Sequence, residues 1–245
     1  AGRGIGRAIA LHLGRAGACV VPAARTACEI ESLAAEIRSA GGNAFAIAVD
    51  LHSEHSIVSL FDQVRSRFGR LDILINNAGI GLFGKVENFP AEAFDRVMAV
   101  NLRGTFICCR EAMRMMIPQR SGYIINISSV VGIKGYPNQA AYTASKCAVE
   151  GWSRVLREEL RPAGVRVGVV APGATDTEIW PAAFAGAVFA QRRGGPGGDP
   201  AQMLERQMSE LKERLKLTPS VSTSWSRFGV WTAWFPTCRS ASPRH

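Results

Sequence analysis

The sequence of 245 residues predicts an α/β fold of the doubly wound type, in which a parallel sheet carries helices on both faces. Two observations lead to this prediction. Short runs rich in Val and Ile, too short to be helices, suit strands that are buried on both faces. Between these runs lie segments with the periodicity of amphipathic helices, and strands that alternate with helices imply right-handed βαβ units.

The predicted elements follow one another regularly along most of the chain. Helical periodicity is found in residues 4–16, 29–40, 56–68, 91–118 and 140–160. The apolar runs are residues 18–22, 44–49, 71–75, 123–127 and 165–170. A chain of this length can build one α/β core, so residues 1–217 are predicted to form a single domain.

The two ends depart from this regular pattern. The chain opens inside a glycine-rich turn that a strand normally precedes, so the first strand of the sheet is expected to be missing. Residues 218–245 contain three of the five tryptophans and no acidic residue. We interpret these residues as an atypical tail that is frameshifted or disordered, with a divergent tail as the alternative.

Composition excludes several classes of protein. Hydrophobic residues make up 47% and charged residues 20%, which argues against a disordered or fibrous chain. No apolar run reaches the length of a membrane span. The net charge of +9 comes without a basic stripe interleaved with aromatic residues, so no specific nucleic-acid partner is predicted. The six cysteines form no CxxC pair and do not have the regular spacing of a disulfide framework. They are interpreted as reduced thiols of a cytoplasmic protein.

No metal site is predicted either. His52 and His55 could be drawn as ligands, with Glu54 between them. The carboxylate stands at the wrong position for a helical zinc motif, and no third ligand is evident in the sequence.

A short glycine pattern opens the first predicted helix, where Gly4 and Gly6 flank Ile5. Glycines allow a pyrophosphate to approach the backbone closely, and a helix N-terminus offers free N–H groups with a partial positive charge. Because three residues are a weak pattern, a tight turn before an ordinary helix is the alternative to a phosphate cradle.

Tyr142 and Lys146 stand four residues apart on a predicted helix, so their side chains lie on one face. A tyrosine with its usual pKa near 10 is a poor base at neutral pH, by about 4 kcal/mol. A lysine cation about 4 Å away, at an effective dielectric constant near 20, supplies an interaction of that size. The pair can therefore act as a general acid and base. A tyrosine and a lysine that merely share a helix surface are the alternative.

A set of motifs stands in a fixed order along the first 180 residues. The motifs are Asn76-Asn77-Ala78-Gly79, Asn101, Ser129, Tyr142 with Lys146, and Pro172-Gly173 with Thr177. An NNAG sequence, an Asn–Ser–Tyr–Lys tetrad and a PGxxxT sequence do not arise together in this order by chance. Over roughly these residues the chain resembles the short-chain dehydrogenase/reductase family, which implies a Rossmann-like fold.

The resemblance implies catalytic roles for four residues of this sequence. Tyr142 matches the family's acid and base, and Lys146 matches the residue that lowers the pKa of that tyrosine and holds the nicotinamide ribose. Ser129 matches the hydroxyl that fixes the substrate oxygen, whereas its neighbour Ser128 is interpreted as structural. Asn101 matches the residue that bends its helix and holds a water molecule that relays protons to the lysine.

The resemblance also implies a binding site for a nicotinamide dinucleotide. Asp50-Leu51 resembles the pair that contacts adenine, and Asn77-Ala78-Gly79 would line the adenosine side. Thr177 would hold the carboxamide and so orient the nicotinamide ring. The residues predicted to bind the cofactor are Arg3, Gly4, Ile5, Gly6, Arg25, Asp50, Leu51, Asn77, Ala78, Gly79, Tyr142, Lys146, Pro172, Gly173 and Thr177.

The end of the sheet's second strand indicates which dinucleotide is bound. An acidic residue at this place binds the ribose 2′-hydroxyl of NAD and repels the 2′-phosphate of NADP. The sequence has Ala23-Ala24-Arg25 there, and Arg3 adds a second cation beside the glycines. Arginine matches phosphate with a bidentate fork. NADP is therefore the predicted cofactor and NAD the less favoured one, with a solvated loop charge as the alternative interpretation of Arg25.

The predicted function is NADP-dependent transfer of a hydride between the nicotinamide and a ketone or secondary alcohol, with Tyr142 as acid and base. Residues 179–217 match the family's substrate lid, where Trp180 and Phe184 either indicate a hydrophobic substrate or pack the lid down. A small carbonyl or alcohol is the predicted partner, and a homodimer or homotetramer is expected if the ends are intact. The alternative is a catalytically impaired member that binds nucleotide or serves as a scaffold.

Overall fold

The computed structural model describes residues 1–173, residue 179 and residues 230–231. The α-helices are α1 (Gly4–Arg15), α2 (Ala27–Ser39), α3 (Glu54–Phe68), α4 (Ala91–Met98), α5 (Thr105–Gln119) and α6 (Ala140–Leu160). The strands are β1 (Cys19–Val20), β2 (Ala23–Ala24), β3 (Asn43–Ala44), β4 (Ile47–Ala48), β5 (Ile73–Asn76), β6 (Gly122–Ile127), β7 (Val165–Val170) and β8 (Val230–Trp231). The predicted order of helices and strands is confirmed.

The strand pairs of the described residues are parallel, as predicted. Strand β6 lies between β7 and β5. Strands β1 and β2 pair with β3 and β4 as successive stretches of one ladder, because Val20 accepts a hydrogen bond from the Phe45 N–H and Pro22 accepts one from the Ile47 N–H. Proline has no N–H to donate, so regular pairing is interrupted at Pro22.

The sequence predicts that the sheet lacks its first strand. In the structure the edge of β5 away from β6 is paired with β8, with Ile73 opposite Val230 and Leu74 opposite Trp231. A two-residue parallel neighbour for β5 thus comes from the segment that is interpreted as an atypical tail. The rest of that segment lies outside the described residues, as does nearly all of the predicted lid, so the interpretation of both stays a prediction.

The sheet is buried on both faces, as the runs of Val and Ile predict. Ile124 and Ile125 are neighbours in β6, yet they belong to two different hydrophobic clusters. One cluster joins the sheet to α3, α5 and α6 and contains the fully buried Phe61. The other joins the sheet to α1 and α2. Because side chains alternate along a strand, burial on both faces requires apolar residues at successive positions.

The segment that is predicted as one helix over residues 91–118 is divided by a wider turn. A π-helix at Ala99–Gly104 separates α4 from α5. Such π-helical stretches are frequent at functional sites. This one lies beside the edge of the sheet where the parallel strands end, which is the edge at which doubly wound sheets bind ligands.

Among the described residues, none of the helices combines the length and the apolar character that a bilayer crossing requires.

Candidate active site

A cavity of about 460 Å³ opens at the carboxyl end of the sheet. It runs from the glycine-rich loop before α1 to the first turns of α6. Gly6 and Asn101 are buried behind its wall, and Thr177 lies outside the described residues. The predicted residues that line the cavity are Arg3, Gly4, Ile5, Arg25, Asp50, Leu51, Asn77, Ala78, Gly79, Ser129, Tyr142, Lys146, Pro172 and Gly173.

The N-terminus of α1 is open to this cavity. Gly4 has a φ of 56°, a left-handed conformation that favours glycine, and no side chain caps the helix. A methyl group at Gly6 would lie 2.7 Å from Asn77 Nδ2, so α1 passes close to the Asn77 side chain after β5. Uncapped N–H groups beside a glycine-rich loop suit a pyrophosphate. The residues present therefore fit a dinucleotide.

Three charged side chains surround the end of the cavity next to α2. Arg3 and Arg25 are exposed, and Glu29 is partly buried in the first turn of α2. The Glu29 carboxylate packs against Gly2, where any side chain would clash with it. Two cations and one anion therefore meet at the place where the sequence predicts a 2′-phosphate.

Asp50 and Leu51 form the turn between β4 and α3. The Asp50 carboxylate accepts a hydrogen bond of 3.0 Å from the His52 N–H, and the Asp50 N–H donates one of 3.0 Å to Ser56 Oγ. A methyl group at Gly104 would lie 2.9 Å from the Leu51 carbonyl oxygen, so the π-helix packs directly on this turn. These contacts fix the cavity wall at which the sequence predicts adenine binding.

Ser129, Tyr142 and Lys146 converge at the other end of the cavity. Tyr142 and Lys146 lie one turn apart on α6, and both are buried, with exposed fractions of 7% and 4%. The Ser129 side chain lies close enough to Tyr142 to lower the pKa of its phenol. The Lys146 ammonium donates a hydrogen bond of 2.7 Å to the Ile127 carbonyl at the end of β6, and it lies 5.7 Å from the centre of the Tyr142 ring.

Burial dominates the titration of this pair. It raises the pKa of Tyr142 to about 12, against the smaller opposing effect of the Ser129 side chain. It lowers the pKa of Lys146 to about 8. The sequence predicts a lowered pKa for Tyr142, and the structure gives a raised one. The reason is that spacing reveals the Coulomb attraction of the lysine but not the loss of solvation that burial imposes on the phenolate.

Both polar atoms of the Asn101 side chain form hydrogen bonds within the protein. Its Oδ1 accepts a hydrogen bond of 2.8 Å from the Ile80 N–H, and its Nδ2 donates to the Ile80 carbonyl at 2.9 Å and to Ser145 Oγ at 3.1 Å. Ser145 in turn donates to the Tyr142 carbonyl at 2.7 Å. Asn101, in the π-helix, therefore connects the loop after β5 to the turn of α6 that carries Tyr142. Its predicted contact with a water molecule stays a prediction.

Several residues of this site are not among those predicted from the sequence. Glu29 could have been found because it stands four residues after Arg25, in the first turn of α2. Ser145 lies inside the YTASK segment, three residues after the tyrosine, where a serine can bond to the preceding turn. Arg96 also lines the cavity, and nothing in its surrounding sequence marks it.

Comparison with known proteins gives a consistent result. The family model described as short chain dehydrogenase matches residues 1–187. A 3beta-hydroxysteroid dehydrogenase of Mediterraneibacter gnavus is 32% identical over 222 residues, covering 88% of this chain and 80% of that protein. The 3-oxoacyl-[acyl-carrier-protein] reductase FabG of Staphylococcus aureus is 41% identical over 174 residues, or 71% of each chain.

Solved structures agree with these relatives. A metagenomic short-chain oxidoreductase, crystallised in complex with NADP, superposes with a TM-score of 0.71 at 35% identity, covering 84% of this chain and 85% of that one. The fold, the cavity and the order of the motifs lead to the same assignment. This chain belongs to the short chain dehydrogenase family and is an NAD(P)-dependent oxidoreductase that transfers a hydride between nicotinamide and a ketone or secondary alcohol.

Proposed function

We propose that this protein is an NADP(H)-preferring carbonyl reductase or alcohol dehydrogenase in which Tyr142 is the acid and base. The observation that carries the proposal is the convergence of Ser129, Tyr142 and Lys146 at one end of a cavity whose other end is the uncapped N-terminus of α1. A dinucleotide is long enough to join two such ends. Asn101 is proposed as a positioning residue, because its amide is bonded to the backbone and to Ser145.

The residues that would hold the dinucleotide are those predicted from the sequence. Gly4 and Ile5 would present backbone N–H groups to the pyrophosphate. Asp50, Leu51 and Asn77 would contact the adenosine, and Lys146 the ribose next to the nicotinamide. The cofactor supplies the hydride in reduction and accepts it in oxidation. The chain contributes orientation, exclusion of water and the movement of one proton.

In the direction of reduction, the substrate oxygen would accept hydrogen bonds from Ser129 Oγ and Tyr142 Oη. A pKa of about 12 keeps the Tyr142 phenol protonated at neutral pH, so it is ready to donate. As negative charge develops on the substrate oxygen, the phenol proton moves to that oxygen and a C–OH group forms. The positive charge of Lys146 stabilises the phenolate that is left, and this stabilisation is strong because both groups are buried.

The preference for NADP is supported by Arg3 and Arg25, two exposed guanidinium groups at the cavity end next to α2. A structural neighbour at 35% identity was crystallised with NADP, which is a further support. Glu29 at the same end acts against a 2′-phosphate. We therefore propose a preference for NADP that this carboxylate moderates, with NAD as the weaker cofactor.

The substrate is proposed to be a ketone or secondary alcohol with hydrophobic bulk. Ile80 and Leu82 line the cavity near the catalytic end, and the ring of Phe83 packs edge-on against Tyr142 at 6.1 Å. The named relatives act on a 3-hydroxysteroid and on 3-oxoacyl groups, both of which carry apolar bodies. Ile179 of the predicted lid lines the cavity, and the other lid residues lie outside the described part of the chain.

A homodimer or homotetramer is proposed from an apolar groove between α4, α5 and α6. Met98, Leu102, Phe106 and Trp152 line it, and Phe106 is 51% exposed although its ring packs against Trp152 at 6.0 Å. An exposed aromatic side chain in an apolar groove between helices suits contact with a second copy of the same chain. A cytoplasmic location is also proposed, since Cys28, Cys108, Cys109 and Cys147, all among the described residues, are reduced thiols.

The experiment that tests the function replaces Tyr142 by Phe and measures two quantities. Titration of NADPH against nicotinamide fluorescence should give nearly the same Kd for both proteins, because the phenol oxygen is one contact among the many that are predicted to hold the dinucleotide. Turnover of a panel of apolar ketones with NADPH should fall by a factor of at least 100, since a positioned general acid contributes roughly 10²–10⁴-fold. Undiminished turnover in the variant would refute the assignment of the acid. The absence of turnover in the unmodified protein would favour the impaired alternative, for which the comparisons give no support.

A further inference from the structure

The short turn after Ser129 lies unusually close to helix α6. This turn is a 3₁₀-helix, Val130–Gly132. A methyl group at Gly132 would lie 2.9 Å from Ser128 Oγ and 3.2 Å from both the carbonyl carbon and the carbonyl oxygen of Lys146. Side chains do not fit at such distances without displacing the backbone. Glycine therefore lets the turn contact the backbone of α6 at the residue that carries the buried amine.

Two hydrogen bonds hold the same turn from other directions. Cys147, the residue after Lys146 on α6, donates from Sγ to the Gly132 carbonyl at 3.2 Å. The Val130 N–H donates to the Pro172 carbonyl at 3.0 Å, which joins the turn to the segment after β7. The turn is thus fixed to α6 by a close contact and a hydrogen bond, and to the end of the sheet by another.

Ser129 immediately precedes this turn, and it lines the cavity together with Tyr142 on α6, close enough to lower the pKa of the phenol. We propose that Gly132 and Cys147 are positioning residues that hold Ser129 against Tyr142 and so set where the substrate oxygen is bound. Neither residue is among those that line the cavity. Their effect is therefore exerted through Ser129, and this inference rests on the proposed roles of Ser129 and Tyr142.

The first test compares two glycine variants in the same loop region. Gly132→Ala should lower kcat by roughly tenfold or more, because displacements of several tenths of an ångström at a reacting group reduce rates strongly. The Kd for NADPH should stay within about twofold of the unmodified protein. Gly135→Ala is the matched control, since a methyl group at Gly135 meets nothing within 4 Å, and it should leave both quantities unchanged.

A pH profile separates positioning from a general loss of folded enzyme. The Ser129 side chain lowers the pKa of Tyr142, so a displaced Ser129 leaves that pKa higher. Among the described residues, the neutral hydroxyl of Ser129 and the ammonium of Lys146, which is on the same helix as Tyr142, face the phenol. Alcohol oxidation needs the deprotonated phenol, and its pH profile should therefore shift to higher pH in Gly132→Ala but not in Gly135→Ala. A lower content of folded enzyme would reduce the rate at every pH without a shift.

The second test uses Cys147. It tests the positioning role even if Gly132→Ala does not fold. Cys147→Ala removes the donor to the Gly132 carbonyl and should lower kcat by roughly threefold, whereas Cys147→Ser keeps a donor and should restore most of it. Cys28→Ala, at an exposed cysteine on α2, should change nothing. Equal kcat for the Ala and Ser variants of Cys147 would overturn the inference, and so would an unshifted pH profile in a folded Gly132→Ala. Failure of the proposed function is recognised separately, by full activity in Tyr142→Phe.

Discussion

Replacing Arg25 by Gln should weaken NADPH binding by roughly tenfold and leave NADH binding unchanged. Arg25 is exposed at the cavity end next to α2, so its interaction with a 2′-phosphate takes place in a high dielectric constant. Two unit charges about 4 Å apart in water attract each other by about 1 kcal/mol. A phosphate carries a charge of about −1.5 to −2, so the loss is roughly 1.5–2 kcal/mol, or a factor of about 10 to 30.

The opposite change is expected at Glu29. Its carboxylate lies at the same end of the cavity, against Gly2, and repels a 2′-phosphate. Glu29→Gln should therefore tighten NADPH binding by a few-fold and leave NADH unaffected. Glu29→Gln keeps the size of the side chain and removes its charge, whereas Arg25→Gln also shortens the side chain and removes the guanidinium fork.

The assay is a fluorescence titration of each cofactor at low and at moderate ionic strength. Salt should reduce the effect of Arg25→Gln, because exposed charges are screened over about 10 Å at 0.1 M. Arg154→Gln, at an exposed arginine of α6 that does not line the cavity, is the control and should leave both affinities as they are. Equal weakening of NADPH and NADH by Arg25→Gln would refute the reasoning, because a residue that recognises the 2′-phosphate cannot affect a cofactor without one.

Two further predictions concern stability and assembly. Burial lowers the pKa of Lys146 from 10.5 to about 8 when the chain folds. Between pH 8 and 10 the Lys146 ammonium therefore keeps its proton in the unfolded chain and loses it in the folded chain. The free energy of unfolding should rise with pH over this window. The rise from this group is roughly 3 kcal/mol when complete, and urea unfolding of Lys146→Met should lack it. Phe106→Asp places a charge in the apolar groove between α4, α5 and α6 and should convert the proposed oligomer to monomer in sedimentation. Val86→Asp, at another exposed apolar residue, is the control. An unchanged sedimentation coefficient in Phe106→Asp would place the interface elsewhere.

The elements that the sequence predicts best are those whose signal is local. Ile124 and Ile125 are both apolar because both faces of β6 are covered, and that pattern is visible without any tertiary information. The spacing of Tyr142 and Lys146 places them on one face of α6 for the same reason. The two-residue pairing of β5 with β8 depends on contact between segments that are distant in sequence, so no local sequence pattern predicts it.

The π-helix at Asn101 is a second feature that the periodicity of the sequence does not predict. Residues 91–118 have helical periodicity throughout, and the extra residue that widens the turn leaves no mark in their composition. What stabilises it is tertiary, because Asn101 bonds to Ile80 in the loop after β5 and to Ser145 on α6. The resemblance to a family predicted that this residue bends its helix, whereas periodicity alone would have given one straight helix. Gly132 is similar, since its need for glycine arises from contact with α6 and not from its own backbone angles.

The titration of Tyr142 and Lys146 shows why the chemistry needs the structure as well as the motif. Spacing alone suggests that the lysine cation lowers the pKa of the tyrosine, yet burial raises that pKa to about 12 and lowers that of Lys146 to about 8. Burial disfavours each charge separately, but transfer of the phenol proton to a substrate oxygen creates a phenolate beside the ammonium, and the two charges then stabilise each other in a medium that screens them poorly. The same burial that costs stability in the resting protein thus makes the lysine effective when the proton leaves. Within pH 7–8 the phenol is protonated and the amine is at least half charged, so the resting site is prepared to donate a proton, which is the state that carbonyl reduction requires.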